Sequence, residues 1–324
     1  MSREDGQMTQ PRTPRHHREH TLISTASADA LYSLAADVRR WPAVFEPTVY
    51  VRLLEHGQLE HGEHTERFQI WATVGAGVRT WQSRRELDPR RRRIGFAQEH
   101  TTAPFTAMRG GWEFQSLPTG GTRIVLRHDF ALTDDTPATL EWADRALDTN
   151  SEKELAALAR IAELGHPVDE LVFSFTDTVD TAAPAADAYD FVNRSDLWPQ
   201  RLPHVGRVLL TEDEPGIQVM EMDTVTADGS AHTTRSVRVC TPGRRIVYKQ
   251  LLPPKMLLGH SGRWEFTEHD GGTRIAAEHT VALNPAAVPE LLGADATLAD
   301  ARNHIREALS RNSRSTLAHA AAAR

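Results

Sequence analysis

Thr21–Pro42 reads TLISTASADALYSLAADVRRWP, and it aligns without a gap on Thr178–Pro199, TVDTAAPAADAYDFVNRSDLWP. A self-match of that length marks a duplicated unit, so the rest of the chain is read as two copies of one element order. The matches continue downstream in the same order. WQSRRELDPRRRRIGF, from Trp81, falls on TRSVRVCTPGRRIVY, from Thr234, which sets Ser83 on Ser236 and Arg85 on Arg238. GGWEF and GGTRIVLRHDF then meet GRWEF and GGTRIAAEHTV, pairing Trp112 with Trp264 and His128 with His279.

Within each copy the pattern predicts a short strand (19–25 and 172–180) followed by a helix over Ala28–Val38 or Ala185–Asn193. Trp-Pro then ends the helical run, because the residue before proline is pushed out of the α region. Stretches rich in Val, Ile, Trp, Phe and Thr follow, at 49–55, 65–73, 78–87, 92–100, 106–115 and 121–131 in the first copy. Each copy closes on a long helix. The first enters at Pro137 and stops near Gly165; the second runs through about 286–318 and loosens at Gly293. Such an order must bury one face of a curved antiparallel sheet on its closing helix, an α+β architecture. The expected boundaries are a disordered tail at 1–17, an N-terminal domain at 18–166 and a C-terminal domain at 171–324.

Composition excludes several classes. The chain has 324 residues, enough for about two domains. No run approaches the ~18 apolar residues of a membrane span, and the polar N-terminus lacks a signal-peptide core, which favours the cytoplasm. A single cysteine, Cys240, leaves no intramolecular disulfide and no cysteine-rich zinc site. The net charge of −7 argues against nucleic acid as a partner. His16, His17 and His20, like His56, His61 and His64, lie in a polar tail and a glycine-rich hairpin without a cysteine or carboxylate motif beside them, so no metal is expected. Arg90–Arg93 reads either as a solvated hairpin end or as a patch that steers an acidic partner.

The strand Val78–Leu87 alternates, with Arg79, Trp81, Ser83, Arg85 and Leu87 on one face and Thr80, Gln82, Arg84 and Glu86 on the other. The second set is solvent material, so the inward set mixes Trp, Ser and Arg. A solid core would disfavour that arginine, because a buried charge is costly unless paired. A lined cavity that receives an oxygen-rich ligand accommodates it. The second copy offers Thr234, Ser236, Arg238 and Cys240, although Val237 and Val239 on the other face blur its facing. The alternative is a structural arginine paired to a carboxylate such as Asp129 or Glu99.

At WPAVFEP, WQSRR, APFTAM and GGWEF the sequence resembles the aromatase/cyclases of bacterial type II polyketide synthases, in their two-domain form. The resemblance covers about 19–318 and implies two tandem helix-grip domains of the START/Bet v 1-like kind. It implies that Arg85, with Ser83 and Trp81 beside it, reaches into the cavity and orients a poly-β-ketone. It also implies a pocket wall of Trp41, Phe45, Phe105, Met108 and Trp112, with Asn150 on the closing helix. Trp198, Ser236, Arg238, Trp264 and Asn303 are the second copy's counterparts. The copies depart from the family where Thr234 replaces Trp81, and where a tyrosine after W-P-x-x-F gives way to Thr48 or to His204-Val205.

Ring closure and aromatisation need a proton removed beside a carbonyl, an enolate held, and hydroxide lost as water. A guanidinium can hold the enolate oxygen. Ser83, Ser236, His128 and His279 are then the proton carriers to consider, the histidines because their ordinary pKa lies near working pH, unless they face outward. The resemblance implies no cofactor, closure and/or dehydration of the first ring (C7–C12) of a ketoreduced chain, and an acyl carrier protein with other type II polyketide synthase components as partners. The competing reading is a two-chamber carrier for a hydrophobic polyketide or lipid, without turnover.

Overall fold

The computed structural model describes residues 13–59, 62–74, 77–225 and 231–322. The first copy runs β1 (His16–Ser24), α1 (Ala28–Ala36), α2 (Trp41–Val44), β2 (Thr48–Gln58), β3 (His64–Val74), β4 (Gly77–Asp88), β5 (Arg93–Gln98), β6 (Phe105–Ser116), β7 (Thr122–Leu132) and α3 (Pro137–Ala162). After α4 (Val168–Leu171) the order repeats as β8 (Val172–Thr181), α5 (Ala185–Asn193), α6 (Trp198–Arg201), β9 (Val205–Glu214), β10 (Ile217–Val225), β11 (Ala231–Thr241), β12 (Arg245–Leu252), β13 (Leu257–His269) and β14 (Gly272–Leu283). The short α7 (Val288–Leu292) and the long α8 (Leu298–Ala321) close it. The two seven-stranded sheets have the same order, β1-β7-β6-β5-β4-β3-β2 and β8-β14-β13-β12-β11-β10-β9. The expected tandem helix-grip architecture is the one found.

Local chemistry accounts for the element ends. Ser27 caps α1, its hydroxyl accepting from Ala30 N at 3.2 Å, and the helix buries Leu31, Leu34 and Ala35. Thr136 caps α3 with Pro137 in the first turn, and Thr297 with Asp300 forms a reciprocal capping box on α8. Gly293, at φ 103°, separates α7 from α8, where the sequence loosens. Two expectations need correction. Trp41-Pro42 does not merely end a helix; it opens α2, because proline is tolerated in a first helical turn. β1 starts at His16, inside the stretch expected to be disordered, because His16, His17 and His20 each find an aspartate (Asp135, Asp129 and Asp148) at 2.8 Å. The rest of that tail, 1–12, lies outside the described residues, as does His61.

The chain divides into two compact units. One comprises the residues up to Ala36, Arg52–Ile70 and Thr80–Glu163; the other comprises Asp37–Val51, Trp71–Arg79 and Leu164–Arg324. In the first, Met108, Phe130 and Leu132 of the sheet pack on Ala143 and Leu147 of α3. In the second, Tyr189, Phe191, Trp198, Ile246, Trp264, Phe266 and Leu317 form the larger core. No helix among the described residues is long and apolar enough to cross a membrane.

Candidate active site

In each copy one cross-strand row runs over the sheet face that meets the closing helix. In the first it is Arg85 (β4), Phe96 (β5), Gly110 (β6), His128 (β7) and Arg18 (β1), each opposite the next. In the second it is Arg238 (β11), Tyr248 (β12), Gly262 (β13), His279 (β14) and Phe175 (β8). Directly opposed residues share a face, so each arginine lies on the histidine's side of the sheet. The glycine is a steric requirement: a Cβ on Gly110 would lie 2.6 Å from Phe96 Cζ, and one on Gly262 would lie 2.3 Å from the Tyr248 hydroxyl oxygen. The aromatic ring of β5 or β12 leans into that gap.

Burial follows the predicted alternation through most of β4: Ser83, Arg85 and Leu87 are buried and Arg84 and Glu86 exposed. Arg79 is the exception. It is exposed while Val78 is buried, because the phase slips at the consecutive exposed pair Arg79-Thr80. On β11, Thr234, Ser236 and Arg238 are buried, and Val237 on the opposite face is buried as well, against Val49 and Val78. That double coverage is why the strand's sequence does not alternate cleanly.

The two arginines differ in their partners. Arg85 donates from Nε and Nη2 to Glu66 Oε2 at 2.8 and 2.5 Å, from Nη1 to Ala35 O at 3.0 Å, and from Nη2 to Ala36 O. The carboxylate is Glu66, neither Asp129 nor Glu99. Arg238 donates to Val192 O and Ser195 Oγ, both at 2.7 Å, and more distantly to Asn193 O. Among the described residues no carboxylate pairs with it, and its guanidinium lies 5.7 Å from the Trp198 ring centroid. Burial presses its pKa below the usual arginine value. Arg85 is thus tied to a carboxylate in the wall, while Arg238 is a buried cation held by neutral oxygens. Charge of that kind is costly unless an anion or developing negative charge compensates it.

The histidines face inward. His128 is half-buried against Phe96, ring centroids 5.6 Å apart, and burial holds its pKa down to about 4. His279 is buried, also held at about 4 by burial, and is the centre of a polar cluster. Its Nδ1 lies 3.0 Å from both the Tyr248 hydroxyl and His260 Nε2, and its Nε2 lies 2.6 Å from Ser313 Oγ on α8. Tyr248, His260 and Ser313 were not anticipated from sequence. No motif marks them, and only strand register and the seating of α8 bring them to His279.

Glu154 was missed too, although a signal existed. Helical spacing sets it between the buried positions Leu147, Ser151, Leu158 and Ile161 on the sheet-facing side of α3. It is half-buried, and burial raises its carboxyl to about 7.

The expected pocket wall is only partly assembled. Met108 and Trp112 are buried and Trp81 and Phe105 half-buried, with Phe105 edge-on to Phe130 at 5.7 Å. Trp41 and Phe45 belong to the second compact unit, where the Pro42 and Phe45 carbonyls accept from the buried Lys249 ammonium at 2.7 and 2.6 Å. Trp198 and Trp264 are core residues, and Trp198 Nε1 donates to Phe191 O at 3.1 Å. Asn150 and Asn303 are exposed. Asn303 lines an open groove of about 560 Å³ along α8, beside Arg306 and Arg314. Among the described residues no cluster of His, Cys, Asp and Glu is arranged to hold a metal ion.

Two family models of polyketide cyclase/dehydrase and lipid transport match the chain, over residues 24–151 and 172–323. The granaticin polyketide synthase bifunctional cyclase/dehydratase of Streptomyces violaceoruber is 52% identical over 95% of this chain and 94% of its own length. The chain belongs to the polyketide cyclase/dehydrase family. The actinorhodin bifunctional cyclase/dehydratase of Streptomyces coelicolor is 53% identical, covering 96% of this chain and 98% of that one. Among solved structures, the di-domain ARO/CYC BexL from the BE-7585A biosynthetic pathway aligns at 48% identity with a TM-score of 0.80, over 95% of this chain and 98% of its own. StfQ from the steffimycin pathway aligns at 38% identity with a TM-score of 0.74, over 94% and 97%. The resemblance to two-domain aromatase/cyclases therefore holds over nearly the whole chain, and this member of the polyketide cyclase/dehydrase family is an enzyme of their kind.

Proposed function

We propose that this cyclase/dehydratase closes and dehydrates the first ring, C7–C12, of a ketoreduced poly-β-ketone delivered on an acyl carrier protein. Arg238 is the observation that carries the proposal: a buried guanidinium without a carboxylate partner among the described residues, on one sheet face with Ser236, Tyr248 and His279. A cation so held strengthens as the ligand's carbonyl becomes an enolate, which is differential stabilisation of the reacting state. Ser236 and His279 are placed to take part in proton movement on this side; Ser83 and His128 are their counterparts in the first copy, as Arg85 is that of Arg238. The loss of water is supported by the identity with the granaticin and actinorhodin bifunctional cyclase/dehydratases.

The run at Arg90–Arg93 gives weaker support to carrier-protein docking. Arg91, Arg92 and Arg93 are already ion-paired to Asp88, Asp29 and Glu113. The test is purified full-length protein added to a reconstituted type II synthase with its ketoreductase. Arg238→Ala should lower the yield of dehydrated, aromatised product by about 100-fold. A non-catalytic carrier would instead bind the product without changing how fast water is lost, and that result would defeat the proposal.

A further inference from the structure

We propose that the second unit holds the dehydration centre, a proton relay in which His260 takes the proton from carbon, Tyr248 protonates the departing hydroxyl, and His279 reconnects the two. This deepens the cyclase/dehydratase reading above and rests on it. Tyr248 and His279 stand on either side of Gly262 in the row. The missing side chain there is what lets the phenol reach His279 Nδ1 at 3.0 Å. His260, two residues before Gly262 and so on the same face, stacks on His279 with ring centroids 5.3 Å apart and brings Nε2 to within 3.0 Å of the same Nδ1. Ser313 fixes the far side of the ring at 2.6 Å. One nitrogen therefore joins two proton carriers.

Both carriers have a side turned to something else. His260 is 3% exposed, and its Nδ1 is buried without a partner among the described residues. Gln250 Oε1, two residues beyond Tyr248 and so on the same face, is likewise buried and unpartnered. Tyr248 is half-buried, so its ring keeps some accessible surface. Burial also holds the phenol well above its ordinary pKa and His260 well below its own, so the resting states are a protonated tyrosine and a neutral histidine. A neutral histidine that donates from Nε2 to His279 keeps its lone pair on Nδ1. A guanidinium (Arg238), a free lone pair and a phenol on one face match the three reacting groups of a β-hydroxy ketone: carbonyl, α-carbon and hydroxyl.

In the step, His260 Nδ1 removes a proton from the carbon between carbonyl and carbinol. The carbinol C–O bond breaks as Tyr248 gives its proton to the leaving oxygen, a C=C bond forms and water departs. The phenolate and imidazolium left behind neutralise each other when a proton passes from His260 Nε2 to His279 Nδ1 and on to the Tyr248 oxygen. His260 is left as its other tautomer and resets by exchange with the released water. No oxidant or further reactant enters. Among the described residues the first unit shows no such relay: the equivalent positions are Phe96, Met108 and His128, and the hydrogen bond is replaced by an edge-on ring contact.

The test uses full-length Tyr248→Phe and His260→Met, each copying the residue the first unit tolerates, in the reconstituted synthase with ketoreductase, with products read by mass. Dehydrated product should fall about 100-fold or more, and a cyclised product heavier by one water should take its place. Ser313→Ala, a positioning change, should shift the same product ratio about tenfold at an unchanged unfolding midpoint. Circular dichroism establishes folding, and Tyr248→Phe decides alone if His260→Met unfolds. Folded variants that dehydrate at the wild-type rate overturn the relay. A wild-type chain that neither cyclises nor dehydrates overturns the functional reading beneath it instead.

Discussion

Glu66 Oε2 accepts from both Nε and Nη2 of Arg85, at 2.8 and 2.5 Å, and the paired side chains are 12% and 1% exposed. Removing one member of so buried a pair strands the other. Arg85→Ala should therefore destabilise the first unit by about 3–5 kcal/mol, measured by urea unfolding. Arg85→Ala combined with Glu66→Leu should recover part of that loss; no recovery would mean the pair is not what the arginine supplies.

Arg238 should behave in the opposite way. Its charge is buried without an ion-paired carboxylate among the described residues, Glu212 acting on it only at a distance, so Arg238→Met removes a cation held by neutral oxygens and keeps much of the packing under Trp198. Unfolding stability should change by less than about 1 kcal/mol while turnover collapses. A variant that loses stability as severely as Arg85→Ala, with its turnover intact, would assign Arg238 to the scaffold.

Glu154 carries a carboxyl raised to about 7 by burial, against an ordinary value near 4.5 in the unfolded chain. The unfolded state ionises first as pH rises, so the stability is fully present below about 4.5 and is lost as pH climbs through 7. Glu154→Gln should then raise the unfolding midpoint by about 5 °C at pH 8 and hardly at all at pH 5. Equal shifts at both pH values would show that the carboxyl is solvated.

His128 and His279, each held to about 4, have the reverse dependence. The unfolded chain binds their protons near 6.5, so their neutral burial stabilises the fold above that value and the benefit disappears as pH falls toward 4. Stability measured at pH 7.5, 5.5 and 4.5 should drop, and His279→Gln should flatten the drop by up to about 3 kcal/mol. An unchanged slope in the variant would mean that His279 binds its proton equally well in the folded and unfolded chains.

The sequence by itself determined the duplication, the element order and the inward facing of Ser83 and Arg85, because repeat identity, capping residues and period-two burial are all local in the chain; the facing of Ser236 and Arg238 was blurred by Val237, which is buried on the other side. The helical phase that turns Glu154 inward was equally legible, since spacing alone carries it. The partner of Arg85 was not. Glu66 meets it across the sheet, and strand register is a property of the assembled ladder. Nor could sequence bring Tyr248, His260 and Ser313 to His279, or count Trp41 and Phe45 with the second unit, because those groupings come from packing between segments far apart in the chain. Local pattern tells which way a side chain points; what it then touches depends on the opposing element, and only the tertiary structure supplies that.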